Sequence, residues 1–277
     1  MAPRNQIVGL IRFSYPATDG FAVSRMPEDA LLGLLHAPER LAARLAYLET
    51  LALPSLAAQT DGDFTCVVLA GTALPAAWQD RLRALPERFP FVRPVFLERM
   101  GALAAARKAI RRAVRPDAER VTGFRLDDDD ALAVDYVART RDRADRLIAA
   151  GLADGPCCVA FTCGLYLDLC APGEPFHQVR EAHAPSLACA MVTGPEVATC
   201  VYRYNHRRIA AFVPTYLEPG EAEMFVRTRH GWNDSGRVTP PHATAVCAEK
   251  GATLLRDRFG LDPAAVFALM PAPPAET

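Results

Sequence analysis

Four consecutive carboxylates, Asp127 to Asp130, follow the β-prone run Val121-Thr122-Gly123-Phe124 and Arg125-Leu126. This stretch constrains the chain more than any other. Asp is depleted inside strands, so the acids belong where a strand stops. In an open α/β sheet that carboxyl end is where ligands bind. Two carboxylates ~5 Å apart repel by ~3 kcal/mol at an effective dielectric near 20, so a partly buried tetrad needs a counter-charge. A hard divalent cation, Mn²⁺ or Mg²⁺, is the expected one, because such ions take oxygen ligands and bridge carboxylates to phosphates. The plainer alternative is an acidic surface turn.

The flanking pattern supports a sheet. Ile7-Val8-Gly9-Leu10-Ile11 predicts a buried first strand, Phe64 to Leu69 a second, Val92 to Leu97 a third and Glu119 to Leu126 a fourth. Pro94 places the third at an edge. Helical spacing over Pro38 to Leu51 puts Leu41, Leu45, Leu48 and Leu51 on one side, and Pro75–Leu85, Gly101–Val114 and Ala133–Ala150 predict further helices. This alternation argues for an α/β fold, a Rossmann-like, mostly parallel central sheet flanked by helices. One domain is expected over 1–277, with a regular half, 1–132, and a less regular half, 133–277. In the second half, Cys158–Leu169 reads as strand or as a hairpin around Gly164, Ala171–Pro185 as a loop, and Leu187–Val192 as strand. A short helix is expected from Gly194 to about Tyr202, a longer one from about Ala243 to Phe259, and a frayed tail over Pro271–Thr277.

Composition closes off other classes. Apolar residues at 51% allow a large core, and a net charge of −1 gives no sign of a nucleic-acid partner. The eight cysteines form neither a disulfide framework nor a zinc pattern, so buried thiols in a reducing cytoplasm are expected. The longest uncharged apolar stretch, Pro156 to Leu167, is too short to span a bilayer, leaving membrane contact at most peripheral.

Arg12-Phe13-Ser14-Tyr15-Pro16 follows the first strand; Ser14 and Tyr15 suit either a nucleotide-base contact or an ordinary turn. A nucleotidyltransferase that makes sugar nucleotides should carry a Gly-rich phosphate loop there, which is missing. A phosphatase with an Asp nucleophile would carry its acids after the first strand. A non-catalytic calcium- or carbohydrate-binding module remains as a third class, although the acids lack the Gly and closing Glu of an EF-hand loop.

Gly101, Ala106-Arg107 and the strand ending Leu126-Asp127-Asp128-Asp129-Asp130 resemble the nucleotide-binding half of GT-A glycosyltransferases. More narrowly, Arg12–Tyr15, Leu53-Pro54-Ser55-Leu56, Gln59-Thr60-Asp61, Asp63-Phe64, Arg125–Leu132 and His230-Gly231-Trp232-Asn233 resemble the bacterial putative rhamnosyltransferases. The resemblance implies a GT-A-like fold and transfer of a sugar, rhamnose by the family's name, from a nucleotide-diphosphate donor to a glycan or other hydroxyl acceptor. It assigns Asp127 to the ribose or the metal, Asp129 to the metal, Asp128 and Asp130 to support, Arg107 to the nucleotide or its phosphates, and Ser14 and Tyr15 to the base pocket. Lys108 stands where many relatives carry Asn. An inverting enzyme also needs a carboxylate near the acceptor hydroxyl. Glu181, Glu221, Glu223 and Asp234 are the candidates, with Glu223 preferred; a solvated acid is the plainer reading of each. His230, or failing that His206, is expected to complete the metal shell, and Trp232 to stack on a sugar or pack in the core.

Overall fold

The computed structural model describes residues 4–20, 22–171, 173–220, 222–233 and 242–270. Four buried strands form the parallel part of the main sheet: β1 (Asn5–Arg12), β2 (Phe64–Gly71), β3 (Val92–Leu97) and β4 (Arg120–Asp127). The chain then enters β5 (Ala131–Leu132). Beyond it come β6 (Cys157–Phe161), β7 (Cys163–Asp168), β8 (Phe176–Arg180), β9 (Cys189–Thr193), β10 (Thr215–Glu218), β11 (Phe225–Arg229) and β12 (Thr244–Val246). The main sheet runs β10-β6-β9-β4-β1-β2-β3, and a second sheet runs β12-β8-β7-β11-β5. Pairing is parallel from β3 through β4 and antiparallel where β9 enters. The expected α/β class and mostly parallel central sheet are therefore observed, with β3 at the edge.

The helices are α1 (Glu28–Leu35), α2 (Pro38–Tyr47), α3 (Leu53–Ala57), α4 (Ala76–Arg88), α5 (Ala102–Arg111), α6 (Tyr136–Ala149), α7 (Ala248–Phe259) and α8 (Pro263–Phe267). Alternation along β1 explains the layering. Ile7 and Ile11 face the core that includes Leu41, Leu45, Leu48 and Leu51; Val8 and Leu10 face Ala105, Ala106, Ala109 and Ile110 of α5. A π-turn, Leu48–Ala52, joins α2 to α3, so the Leu stripe continues past its expected end. Gly9 is required by packing: a Cβ there would sit 2.5 Å from the Phe124 ring.

The second half is more regular than its composition suggests. The apolar run Cys158–Leu169 is not one strand or hairpin but two strands in different sheets, breaking at Thr162. A continuous apolar run gives no period by which to locate such a break. The Pro- and Gly-rich stretch 171–185 contains β8, and no helix forms over 194–202, where Val197 takes φ +48°. The last long helix starts at Ala248, after β12. The tail Pro271–Thr277 lies outside the described residues.

These features place the tetrad. Asp127 ends β4 in the main sheet, and Ala131 begins β5, which pairs with β11 in the other sheet. The four acids are the crossing between sheets, and the amide of Asp130 donates to the carbonyl of Asp127 at 3.2 Å. A turn wedged between two sheets buries its middle: Asp128 is 0%, Asp129 5% and Asp130 4% exposed.

Candidate active site

A cavity of about 600 Å³ opens at the carboxyl ends of β1 and β4. Ser14, Tyr15, Asp127, Asp129 and Asp130 line it, together with Arg12, Arg40, Arg44, Arg125, Arg227, His206, Thr228 and Asn233. The register explains its polar end. Arg12 lies opposite Asp127 across the β1–β4 ladder, and Arg125 precedes Asp127 by two residues on the same face. Their guanidiniums come within 3.8 and 3.7 Å of the Asp127 carboxylate. Both lie over the Tyr202 ring, at 5.1 and 5.3 Å, a cation–π seat that fixes them.

The other acids are held by nitrogen donors. Arg44, from α2, donates to both Asp128 carboxylate oxygens and, through Nη1, to Asp129 Oδ2 at 2.9 Å. His230 Nε2 lies 2.8 Å from Asp129 Oδ2, and Asn233 Nδ2 donates to the same oxygen at 3.1 Å. His230 Nδ1 accepts the Trp232 amide proton at 3.1 Å, so the neutral ring carries its proton on Nε2 and donates it to Asp129. Tyr47 stacks on that ring at 4.2 Å. Asp130 Oδ1 accepts from the Thr228 amide at 2.9 Å.

The environments push these acids apart. Burial works against ionising Asp129, but the Arg44 charge and then the His230 hydrogen bond overcome it and hold the carboxyl below its usual range. Burial, then the charges of Asp129 and Asp127, push Asp130 well above it. His206 is driven down to about 4 by burial, then by Arg125, Arg227 and Arg207.

Sequence and structure agree on some residues and part on others. Ser14 sits in the pocket with φ +47° and accepts from Arg40 Nη1 at 2.9 Å. Strain of this kind collects at functional sites. Tyr15 lines the pocket while its hydroxyl donates to the Glu98 carbonyl at 2.6 Å. Asp128 does not line the cavity; it lies sealed beneath Arg44. Arg107 is also outside, donating to the Val197 carbonyl at 3.0 Å. Glu223 is buried in the second sheet region, accepts from Gln178 at 2.6 Å, and is not a lining residue. Glu181 accepts from the Tyr166 hydroxyl and is likewise absent from the lining, as is the exposed Trp232. Glu221 and Asp234 lie outside the described residues.

The expected cation ligands, Asp127, Asp129 and His230, do not fit a metal as they stand. A metal needs a bare imidazole nitrogen, with the other N–H donated away from the ion. His230 shows the reverse, since its Nδ1 is an acceptor. Three N–H donors already converge on Asp129 Oδ2. Among the described residues no three His, Cys, Asp or Glu side chains group as a cation site. The counter-charge that the tetrad requires comes from guanidinium groups.

Sequence reasoning passed over Arg40 and Arg44. Their signal was present: two like charges at i,i+4 on one helix repel unless anions face them.

Fold and site together define an α/β domain with a charged ligand pocket at the carboxyl edge of its sheet. Residues 6–242 match the family model described as "Putative rhamnosyl transferase", and the chain belongs to that family. Among solved structures it is similar to S. aureus TarS 1-349 in complex with UDP-GlcNAc, at 11% identity and TM-score 0.46, covering 84% of this chain and 62% of that one. The chain thus spans about three-fifths of that structure. A "putative nucleotide-diphospho-sugar transferase" from Desulfovibrio desulfuricans G20 gives 11% identity and TM-score 0.36 over 78% of this chain and 80% of that one. A "Putative Glucose-1-Phosphate Thymidylyltransferase" from Bacillus anthracis gives 9% identity and TM-score 0.35 over 82% and 88%. No match was found among curated proteins. Among the described residues no helix is long and apolar enough to cross a membrane.

Proposed function

We propose that this protein is a glycosyltransferase that moves a sugar from a nucleotide-diphosphate donor, bound in the pocket at the ends of β1 and β4, to a hydroxyl acceptor. The observation that carries this reading is the pocket's charge. Five guanidiniums, Arg12, Arg40, Arg44, Arg125 and Arg227, line it against three carboxyls, at the sheet edge where ligands of such folds bind. As the glycosidic bond breaks, negative charge builds on the leaving diphosphate. Fixed cations in a partly dry cavity stabilise that charge more than water does. Guanidiniums suit phosphate oxygens, because their paired N–H groups match the spacing of two acceptors.

Within this reading Asp127 takes the ribose hydroxyls. It is the tetrad member with 31% of its side chain exposed, so it offers carboxylate oxygens to the cavity. Ser14 and Tyr15 border the base. Glu181 and Glu223 do not line the cavity, so neither is offered as the base that takes the acceptor's proton.

The test is a panel of nucleotide sugars, dTDP-rhamnose included, assayed for release of nucleoside diphosphate with and without sugar acceptors. Release from one class of donor supports the proposal. Consumption of a nucleoside triphosphate with release of pyrophosphate instead would mark a nucleotidyltransferase, and no turnover with any donor would count against both.

A further inference from the structure

The acid tetrad is expected to hold a metal, yet its residues are arranged around a guanidinium. Arg44 forks across Asp128 and reaches Asp129, with side chains only 12%, 0% and 7% exposed. The acids on either side of the crossing are thereby joined to α2. Asp129 Oδ2 receives two further donors, from His230 and Asn233. The His230 ring is locked by the Tyr47 stack on its face and by the Trp232 amide on Nδ1, so the proton on Nε2 has no alternative site.

From this arrangement, and resting on the nucleotide-diphosphate reading above, we propose that Arg44 is the tetrad's resident counter-cation and that the donor's diphosphate is gripped by the pocket arginines without a divalent metal. Charge balance supports it. A cavity lined chiefly by acids must recruit a metal before it can accept a diphosphate. Here the lining already carries more guanidiniums than carboxyls, five against three, and counting the buried Asp128 leaves the balance positive. Arg44 also sits where a metal would compete for the same oxygen. A divalent ion at Asp129 Oδ2 would have to displace the bonded Arg44 guanidinium and the His230 N–H.

The experiment measures thermal unfolding of the full chain with UDP, GDP and dTDP, each in EDTA and in Mn²⁺. It does so for the wild type, Arg44→Met and Arg44→Lys. In the wild type, the stabilising diphosphate should bind with the same Kd, within twofold, in EDTA and Mn²⁺, and Mn²⁺ alone should leave Tm unchanged. Arg44→Met leaves two buried carboxylates without their cation. Its Tm should fall, and Mn²⁺ should restore part of the loss. Arg44→Lys keeps the charge but loses the fork, so its Tm should fall less and stay indifferent to Mn²⁺. Diphosphate binding at least tenfold weaker in EDTA overturns the proposal. So does a rise in wild-type Tm with Mn²⁺ alone, or an Arg44→Met variant as stable as the wild type. If Arg44→Met does not fold, the wild type and Arg44→Lys decide by the same criteria. If no diphosphate binds in either condition, the donor reading fails, while the Tm responses to Mn²⁺ still judge Arg44.

Discussion

Replacing Asp128 by Asn keeps the side chain's size and removes its charge. Asp128 is fully buried and takes two donors from Arg44, whose own side chain is 12% exposed. Breaking a buried, hydrogen-bonded ion pair by removing one partner costs about 3–5 kcal/mol, because the remaining charge stays desolvated. For a chain of this length each kcal/mol moves the midpoint by roughly 2 °C, so Tm should fall by roughly 6–10 °C. Asp127→Asn is the internal comparison. That side chain is 31% exposed and meets Arg12 and Arg125 at 3.8 and 3.7 Å, beyond hydrogen-bond range. Its loss should cost under about 1 kcal/mol. Urea denaturation of both variants, with Arg44→Met and the Asp128/Arg44 double variant completing a cycle, measures the coupling directly. Equal costs at 127 and 128, or a coupling near zero between Asp128 and Arg44, would refute the division of the tetrad into a structural acid and a pocket-facing one.

Glu223→Gln should lower stability by about 1 kcal/mol, through its bond with Gln178, and leave nucleoside-diphosphate affinity unchanged, as isothermal titration would show. His206 is surrounded by Arg125, Arg227, Arg207 and Asp127, and its folded pKa lies at about 4. The unfolded state therefore binds more protons between that value and the ordinary histidine range, so the His206 contribution to stability is present above about 6.5 and lost as pH falls toward 4. Denaturation midpoints across that window should have a shallower slope in His206→Gln; an identical slope would show that the ring titrates normally. Gly164→Ala would place a Cβ 2.3 Å from the Phe225 ring between β7 and β11. A cost of about 1–3 kcal/mol is expected, read as a lower urea midpoint.

The parallel half of the sheet was legible because its strands are apolar runs separated by amphipathic helices, and local periodicity decides such elements. The Leu stripe from Leu41 to Leu51 is buried as expected. Periodicity says nothing of which sheet a strand joins, so β6 and β7 looked like one element although they part at Thr162. β8 was hidden by the Pro and Gly residues around it. At the site, chain order placed Asp127, Asp129, Ser14 and Tyr15 at one sheet edge, and they do line one cavity. What local pattern could not convey was the partner of each acid. Arg44 lies 84 residues from Asp128, and His230 lies 101 from Asp129. The same distance misdirected the choice of Glu223, whose neighbour is Gln178 and not the pocket.

The proposed transfer requires the cavity between β1, β4 and α2 to hold a nucleotide diphosphate. A crystal structure with a stabilising nucleoside diphosphate tests it most directly. Phosphate density within hydrogen-bond reach of the pocket guanidiniums and a ribose beside Asp127 are expected. A diphosphate bound elsewhere, with Arg12, Arg125 and Arg227 unchanged and water filling the cavity, would contradict it.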